Sequence, residues 1–321
     1  MSIGIPNRIA ISRTDSIGDV LVTLPLCGYI KKHAPNTQVI FIGRSYTKAI
    51  AEACPFIDEF VNFDLKDDEQ LEVDAVVFAF PDAQVMQWVK SKKIPLRIAT
   101  ARRKQSWIYA NKRIWFSRKK SDLHESQLNF HLLKPFGLLN IPSIEEITRL
   151  QKIEPQVQNP IPLVPNKRSV IFHMLSKGSA RNWPLDRFYD LAQLLEKQGC
   201  QIYLTGTEQE GSIIQSSFKF NPNITDLTGK LNLYELIAFI ASSDCLIAAS
   251  TGPLHIAAAC GIHAIGLYPN TRPMHPGRWA PIGKHVTVIE DGFTSKSTLE
   301  IDVNDVYKKV IEVLELDPLS I

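Results

Sequence analysis

The sequence has little that would tie it to an oxidising or a membrane compartment. Its 321 residues hold five cysteines, at 27, 54, 200, 245 and 260, and none stands in a CxxC or CxH spacing. All five fall inside apolar segments. The expectation is buried free thiols in a reducing cytosol, not disulfides or a zinc site. No run approaches the ~20 apolar residues that cross a bilayer. The first residues lead almost at once into a strand and carry neither the apolar core nor the cleavage site of a signal peptide. A cytoplasmic protein is expected. The dinucleotide fingerprint GxGxxG is missing too, which disfavours a dinucleotide oxidoreductase. No DxD-like acidic pair stands out to bind a metal. Net charge is only +3, so bulk charge does not announce a nucleic-acid binder.

One absence is local. Residues 83–121 contain no Asp or Glu but twelve Lys or Arg, and three of the five tryptophans, Trp88, Trp107 and Trp115, fall there. A charge run is ordinarily a solvated face. The functional readings are a phosphorylated acceptor, an anionic membrane surface or nucleic acid. Tryptophan among basic residues favours lipid headgroups.

What is present describes a soluble α/β protein. Hydrophobic residues make up 45% and charged residues 21%, and the length suits two domains. Short apolar runs at 8–12, 38–43, 58–63, 74–80 and 95–100 read as strands. Helical patterns begin near residues 19, 45 and 82, and 124–139 reads as a helix ended or kinked at Pro135. Strand–helix alternation means βαβ units and a parallel sheet. Residues 154–167 then carry four prolines and form a candidate linker. The alternation restarts with strands at 169–173, 201–205, 244–249, 263–268 and 285–289. Helices are expected at 185–198, 232–242, 253–260 and 303–315. Two domains, 1–155 and 156–321, would leave a cleft that suits a two-substrate enzyme.

Four stretches could carry chemistry. In ISRTDSIGDVLVTLP (11–25) a strand opens onto a polar loop holding Arg13, Asp15 and Ser16. Gly18 permits close approach, and Asp19 can act as general base or simply favour a helix start. In AASTGPLHIAAACG (248–261), Ser250, Thr251, Gly252 and Pro253 precede a small-residue helix. Free amides and the helix dipole there make an anion site, and the same residues also suit a plain cap. His255 is a core histidine or a ligand contact. HMLSKGSARNWPLDRF (173–188) offers Met174, Lys177, Arg181 and Trp183 before a helix, with Arg181 able to grip a diphosphate or to stand as a solvated loop cation. LTGTEQEGS (204–212) places Glu208 just past a strand end, where an acid can accept from a ribose diol or simply favour a helix start.

Taken in order, RTDSIGDVLVTLPL, HESQLNFHLLKPFGL, SARNWPLDRF, LYELIAFIASSDCLIAASTGPLHIAAACG and RWAPIG resemble glycosyltransferase family 9, the lipopolysaccharide heptosyltransferases. The resemblance covers most of the chain. It implies a GT-B architecture, two Rossmann-like domains facing a central cleft. Residues 1–155 would bind the acceptor and 156–321 the nucleotide-sugar donor. It implies an inverting, metal-independent transfer of a sugar, heptose from ADP-heptose, to a phosphorylated glycolipid acceptor, with no cofactor beyond the donor. Asp19 matches the family's general base. Thr251 and Gly252 match the diphosphate turn, with Ser250, Pro253, His255, Met174, Lys177, Arg181 and Glu208 around the donor. Arg13, Ser16, Gly18, Arg102, Arg103 and Lys104 fall to the acceptor side. The resemblance further implies a peripheral contact with the cytoplasmic face of the inner membrane and no nucleic-acid partner. One position departs: Ser250 stands where the family commonly carries Asp, which leaves the donor sugar open. A different nucleotide-sugar donor, a nucleotide-sugar epimerase and a non-catalytic basic-surface binder are the alternatives.

Overall fold

Apolar runs with no polar alternation form strands that are covered on both faces, as parallel sheets require. The computed structural model describes residues 3–176, 178, 180–217, 222–292 and 297–317. Contacts divide the chain into two units, Met1–Glu154 and Pro155–Ile321. In the first, β1 (Arg8–Ser12), β2 (Gln38–Gly43), β3 (Glu59–Asn62), β4 (Ala75–Phe78), β5 (Leu96–Thr100) and β6 (Lys112–Ile114) form one sheet. Its order is β3-β2-β1-β4-β5-β6, and every pairing is parallel.

The second unit repeats the plan with β7 (Ser169–His173), β8 (Gln201–Leu204), β9 (Ile224–Asp226), β10 (Cys245–Ala249), β11 (His263–Tyr268) and β12 (Val286–Glu290). Its order, β12-β11-β10-β7-β8-β9, is the same winding, again all parallel. Strand order therefore reverses beside the first strand of each unit, between β1 and β4 and between β7 and β10. In doubly wound sheets ligands bind beyond the strands' carboxyl ends at that point. The opposite end is tied down alike in both units. The Arg8 amide donates to the Asp74 carboxylate at 3.0 Å, and the Ser169 amide donates to Asp244 at 2.8 Å.

Each core sits between sheet and helices. Ile9, Ala10 and Ile11 of β1 are fully buried, as are Cys245, Leu246 and Ile247 of β10. The Val303–Leu314 helix presents Val306, Tyr307, Val310, Ile311 and Leu314 to the second core. That spacing is one helical face. Its start is capped by Asp302, whose carboxylate accepts from the Asn304 amide. Trp183, grouped above with site candidates, is a core residue, 1% exposed with its indole donating to the Ile301 carbonyl. The expected 124–139 helix is α-helical only over Glu125–Phe130 and tightens to a 3-10 helix over His131–Phe136. Pro135 cannot donate into an α ladder, and Gly137, at φ 84°, ends the segment.

Candidate active site

In the first unit, β1 delivers its last residue, Ser12, to the carboxyl edge of the sheet, and the chain turns through Arg13–Ser16 into a helix, Ile17–Leu21. Arg13 is only 3% exposed. Its Nε donates to Asp15 at 2.6 Å, its Nη2 donates to Asp19, and its Nη1 lies 3.9 Å from Glu125. Burial works against the Arg13 charge, but Asp15, Asp19 and Glu125 outweigh it and hold its pKa above the ordinary value. The Asp15 carboxyl is pushed up by burial; Arg13 pulls it down, and the charge of Asp19 pushes it up again.

Asp19 lies in the first turn of that helix. Ser16 caps it, accepting from the Asp19 amide at 3.4 Å and donating its hydroxyl to Asp19 Oδ2 at 2.5 Å. The Asp19 carbonyl accepts from Thr23 at 2.8 Å. Both carboxylate oxygens are thus aimed by short bonds while the side chain keeps 21% of its surface exposed. An acid held in this way can present a defined oxygen to a hydroxyl.

The basic run contributes a second feature. Arg102, Arg103, Arg118, Lys119 and Lys120, with Phe116 on one wall, line a cavity of about 340 Å³ at the carboxyl end of β5. Lys104 is exposed beside it and opens the Lys104–Tyr109 helix. Arg118 joins this cavity to the Asp19 cluster. Its Nε donates to Glu125 at 2.8 Å, and its Nη2 donates to Asn129 at 2.9 Å and to the Ala79 carbonyl at 3.2 Å. Glu125, 2% exposed, therefore bridges Arg118 and Arg13. Sequence reasoning singled out neither Arg118 nor Glu125. Arg118 was one cation among twelve, and an acid at a helix start reads as a dipole partner.

In the second unit, β10 ends at Ala249 and Thr251 is the N-cap of a nine-residue helix, Gly252–Cys260, with Pro253 in its first turn. Thr251 makes no side-chain cap bond. Its hydroxyl is buried, the residue being 6% exposed, and has no hydrogen-bond partner among the described residues. A buried hydroxyl left open beside free helix amides is costly unless a ligand completes it. Ser250 is committed elsewhere. The Tyr268 phenol donates to the Trp279 carbonyl at 2.8 Å, and the Ser250 hydroxyl bonds the same phenol oxygen. His255 is buried one turn into the helix. Gly261, at φ 83°, closes the helix in the left-handed region.

Around this turn, Met174 follows β7 and is buried. Arg181 is half-buried, and Lys177 lies outside the described residues. Glu208 is exposed at the first position of the Glu208–Ser217 helix. The bonds that organise that helix start come instead from Glu210, which accepts from the Thr207 amide at 2.7 Å and the Thr207 hydroxyl at 2.9 Å. His173, the last residue of β7, was not singled out from sequence. Its Nδ1 is 3.1 Å from the Thr205 hydroxyl, and burial pulls its pKa down to about 4 against the opposing charge of Glu210. A histidine ending a strand looks like any other, so only the fold reveals it. Among the described residues no group of three or more His, Cys, Asp or Glu is placed to hold a metal ion.

The family model described as glycosyltransferase family 9 (heptosyltransferase) matches residues 83–309. A Haemophilus influenzae protein, itself named only provisionally as a glycosyltransferase, is 29% identical over 326 residues, covering 92% of each chain. Two solved structures share the fold. E. coli ADP-heptose lps heptosyltransferase II superposes with a TM-score of 0.78 at 16% identity, over 96% of this chain and 98% of its own. E. coli heptosyltransferase WaaC with ADP gives 0.75 at 18% identity, over 95% and 99%. Two parallel six-stranded α/β units in one chain constitute the GT-B architecture of these neighbours.

Proposed function

The chain belongs to glycosyltransferase family 9, and from that premise we propose that it moves heptose from ADP-heptose to a phosphorylated glycolipid of the lipopolysaccharide core, with inversion and without a metal. The observation that carries the donor half is Thr251: a buried, unpartnered hydroxyl at the N-terminus of a nine-residue helix, at the switch point of the second sheet. A diphosphate satisfies that hydroxyl and the helix amides together. Arg181 and Lys177 add positive charge, Glu208 takes the ribose diol, and Gly252, Pro253, Met174 and His255 shape the pocket. Ser250 contributes no charge to the sugar.

Asp19 is the general base. The acceptor hydroxyl gives its proton to Asp19 Oδ2 as its oxygen attacks the anomeric carbon. The anomeric C–O bond to the diphosphate breaks on the opposite face, and its electron pair leaves with the diphosphate. Of the two contacts on the Asp19 carboxylate, the Ser16 hydroxyl is a single rotor and can turn aside, while Arg13 holds the other oxygen. Charge developing on the departing phosphate is met by the helix amides and Arg181. Gly18 allows the acceptor close to the backbone. Arg102, Arg103 and Lys104, with the cavity they adjoin, receive its anionic groups. A cytoplasmic location is part of this reading.

The test is calorimetric titration with ADP, UDP, GDP and ADP-heptose, followed by turnover of Asp19→Asn and Asp15→Asn with a chelator present and absent. Selective ADP binding, with a loss of roughly 100- to 10,000-fold in kcat for Asp19→Asn alone, is expected. UDP or GDP preference would replace the donor. Undiminished turnover in Asp19→Asn would remove it as the base, and loss of turnover with chelator would remove the metal-free mechanism.

A further inference from the structure

The hold on Asp19 reaches beyond its own loop. Arg13, which grips Asp15 and Asp19, is itself fixed over the Phe80 ring, 5.8 Å from its centroid. Its third nitrogen, Nη1, faces Glu125 but stands 3.9 Å from it. Glu125 leans the other way, onto Arg118 Nε at 2.8 Å. The Glu125 side chain is 3% exposed, so water does little to screen either pairing. Arg118 in turn lines the basic cavity, with 23% of its side chain exposed. One buried carboxylate therefore stands between a cation open to a ligand and the cation that holds the base.

The backbone around this chain of charges is tied down. Glu125 and Asn129 lie one turn apart on the Glu125–Phe130 helix. Asn129 accepts from Arg118 at 2.9 Å and donates to the Thr23 hydroxyl at 3.4 Å, and Thr23 donates to the Asp19 carbonyl at 2.8 Å. What can shift is the share of charge. An oxyanion in the cavity competes with Glu125 for Arg118. As that contact weakens, the Glu125 charge falls to Arg13, and Arg13 neutralises Asp15 and Asp19 less. A half-buried carboxylate that loses part of its cation gains affinity for a proton. Two further ionisable groups face the chain. Tyr46 donates its hydroxyl to the Asp15 carbonyl, and burial raises its pKa. His131 stacks on Phe116 of the cavity wall, and burial, Lys134 and Arg118 lower its pKa.

We propose that Glu125 is a positioning residue for the transfer: through Arg118 on one side and Arg13 on the other, it relays the arrival of an acceptor oxyanion in the cavity to Asp19, so that the base strengthens when the acceptor is seated. While the cavity is empty Asp19 is a weaker base, and water is a poorer competitor for the donor. The inference rests on the reading of Asp19 as the base and of the cavity as the seat of the acceptor's anionic groups.

The experiment is carboxylate-carbon NMR of the full chain with labelled aspartate, titrated with acid in sulfate and in chloride at equal ionic strength. Asp15→Asn and Asp19→Asn assign the resonances. Sulfate should raise the midpoints of the Asp15–Asp19 pair in wild type by about one pH unit. The rise should be largely lost in Glu125→Gln, partly restored in Glu125→Asp, and intact in His131→Gln. In Arg118→Gln the midpoints should stand high in chloride and no longer respond, which decides the matter if Glu125→Gln does not fold. Turnover then separates the acceptor's own oxyanion from a free one. A phosphorylated core glycolipid should surpass its phosphatase-treated form in wild type by roughly three- to tenfold in kcat, besides a lower KM, but in Glu125→Gln by KM alone. Unmoved midpoints in wild type overturn the proposal, as does a wild-type response in Glu125→Gln. Equal kcat for the two acceptor forms in wild type overturns the acceptor's part in it. A full sulfate response without turnover of any acceptor upholds the relay and counts against the transferase reading instead.

Discussion

Replacing Arg13 by methionine isolates the electrostatics of the Asp19 cluster. Met keeps the length of the side chain but removes the one cation that touches Asp15, Asp19 and Glu125. Arg118 still pairs Glu125, so two carboxylates lose their nearest positive partner. Removing one member of a buried pair costs about 3–5 kcal/mol, because the charge left behind is unpaid for by solvent. That should lower the thermal midpoint of the first unit by roughly 10 °C. It should also speed amide exchange in β1 and β4 roughly 150- to 5,000-fold while leaving β7 and β10 unchanged. The control is Arg149→Met. Its ion pair with Glu145 is 72% and 79% exposed and so contributes at most a few tenths of a kcal/mol. The sign with pH follows. Burial already raises the Asp15 carboxyl, and without the opposing charge of Arg13 it rises further above its unfolded value. The cost is then full at pH 7 and shrinks as pH falls and that acid takes up its proton. Urea midpoints at pH 7 and pH 4 and peptide-level exchange at pH 7 check both halves. Equal stability of Arg13→Met and Arg149→Met at pH 7 would refute the reasoning.

Three further outcomes are expected. His173, neutral in the fold with its pKa drawn down to about 4, contributes stability that is complete above its unfolded value near 6.5. That stability is lost as pH falls toward 4, up to about 3 kcal/mol, and His173→Gln should flatten this slope in urea titrations. Burial lifts the thiols of Cys54 and Cys260 to about 12 and of Cys200 to about 11, with Cys27 and Cys245 also raised. A disulfide reagent at pH 8 should titrate the five thiols slowly in native protein and fast in guanidinium. In Gly283→Ala the new Cβ would stand 2.3 Å from the Ala258 carbonyl oxygen, a backbone atom with little room to move. It should cost about 1–3 kcal/mol in urea unfolding, against no change in Gly292→Ala, where nothing lies within 4 Å.

Much of the fold was legible because central parallel strands must be apolar on both faces. Ile9-Ala10-Ile11 and Cys245-Leu246-Ile247 could hardly be anything else. The strands that escaped notice, β6 as Lys-Arg-Ile and β9 as Ile-Thr-Asp, are three residues long and lie at sheet edges, each bonded on one side. An edge strand needs little apolar surface and leaves little pattern. At the site, Asp19 and Thr251 could be picked out because each stands where a strand gives way to a helix. Ser16 and Arg13 prove to hold Asp19 directly. Glu125 and Arg118 were beyond reach of pattern. Their meaning lies in a pairing across folded elements, and burial of an acid is a property of the fold that local sequence does not encode.

The paired clamps at the amino ends of the sheets bear on how each unit is made. The Arg8 amide waits for Asp74, 66 residues later, and the Ser169 amide waits for Asp244, 75 residues later. In both units the strand synthesised first ends up in the middle, so no sheet can close at its centre until half of its unit has left the ribosome. Closing a span of 75 residues costs scarcely more entropy than closing one of 66, since that cost grows only with the logarithm of length. The two halves therefore face nearly the same delay during synthesis, one after the other. An exposed β1, apolar on both faces and without neighbours, is the nascent segment most in need of a chaperone.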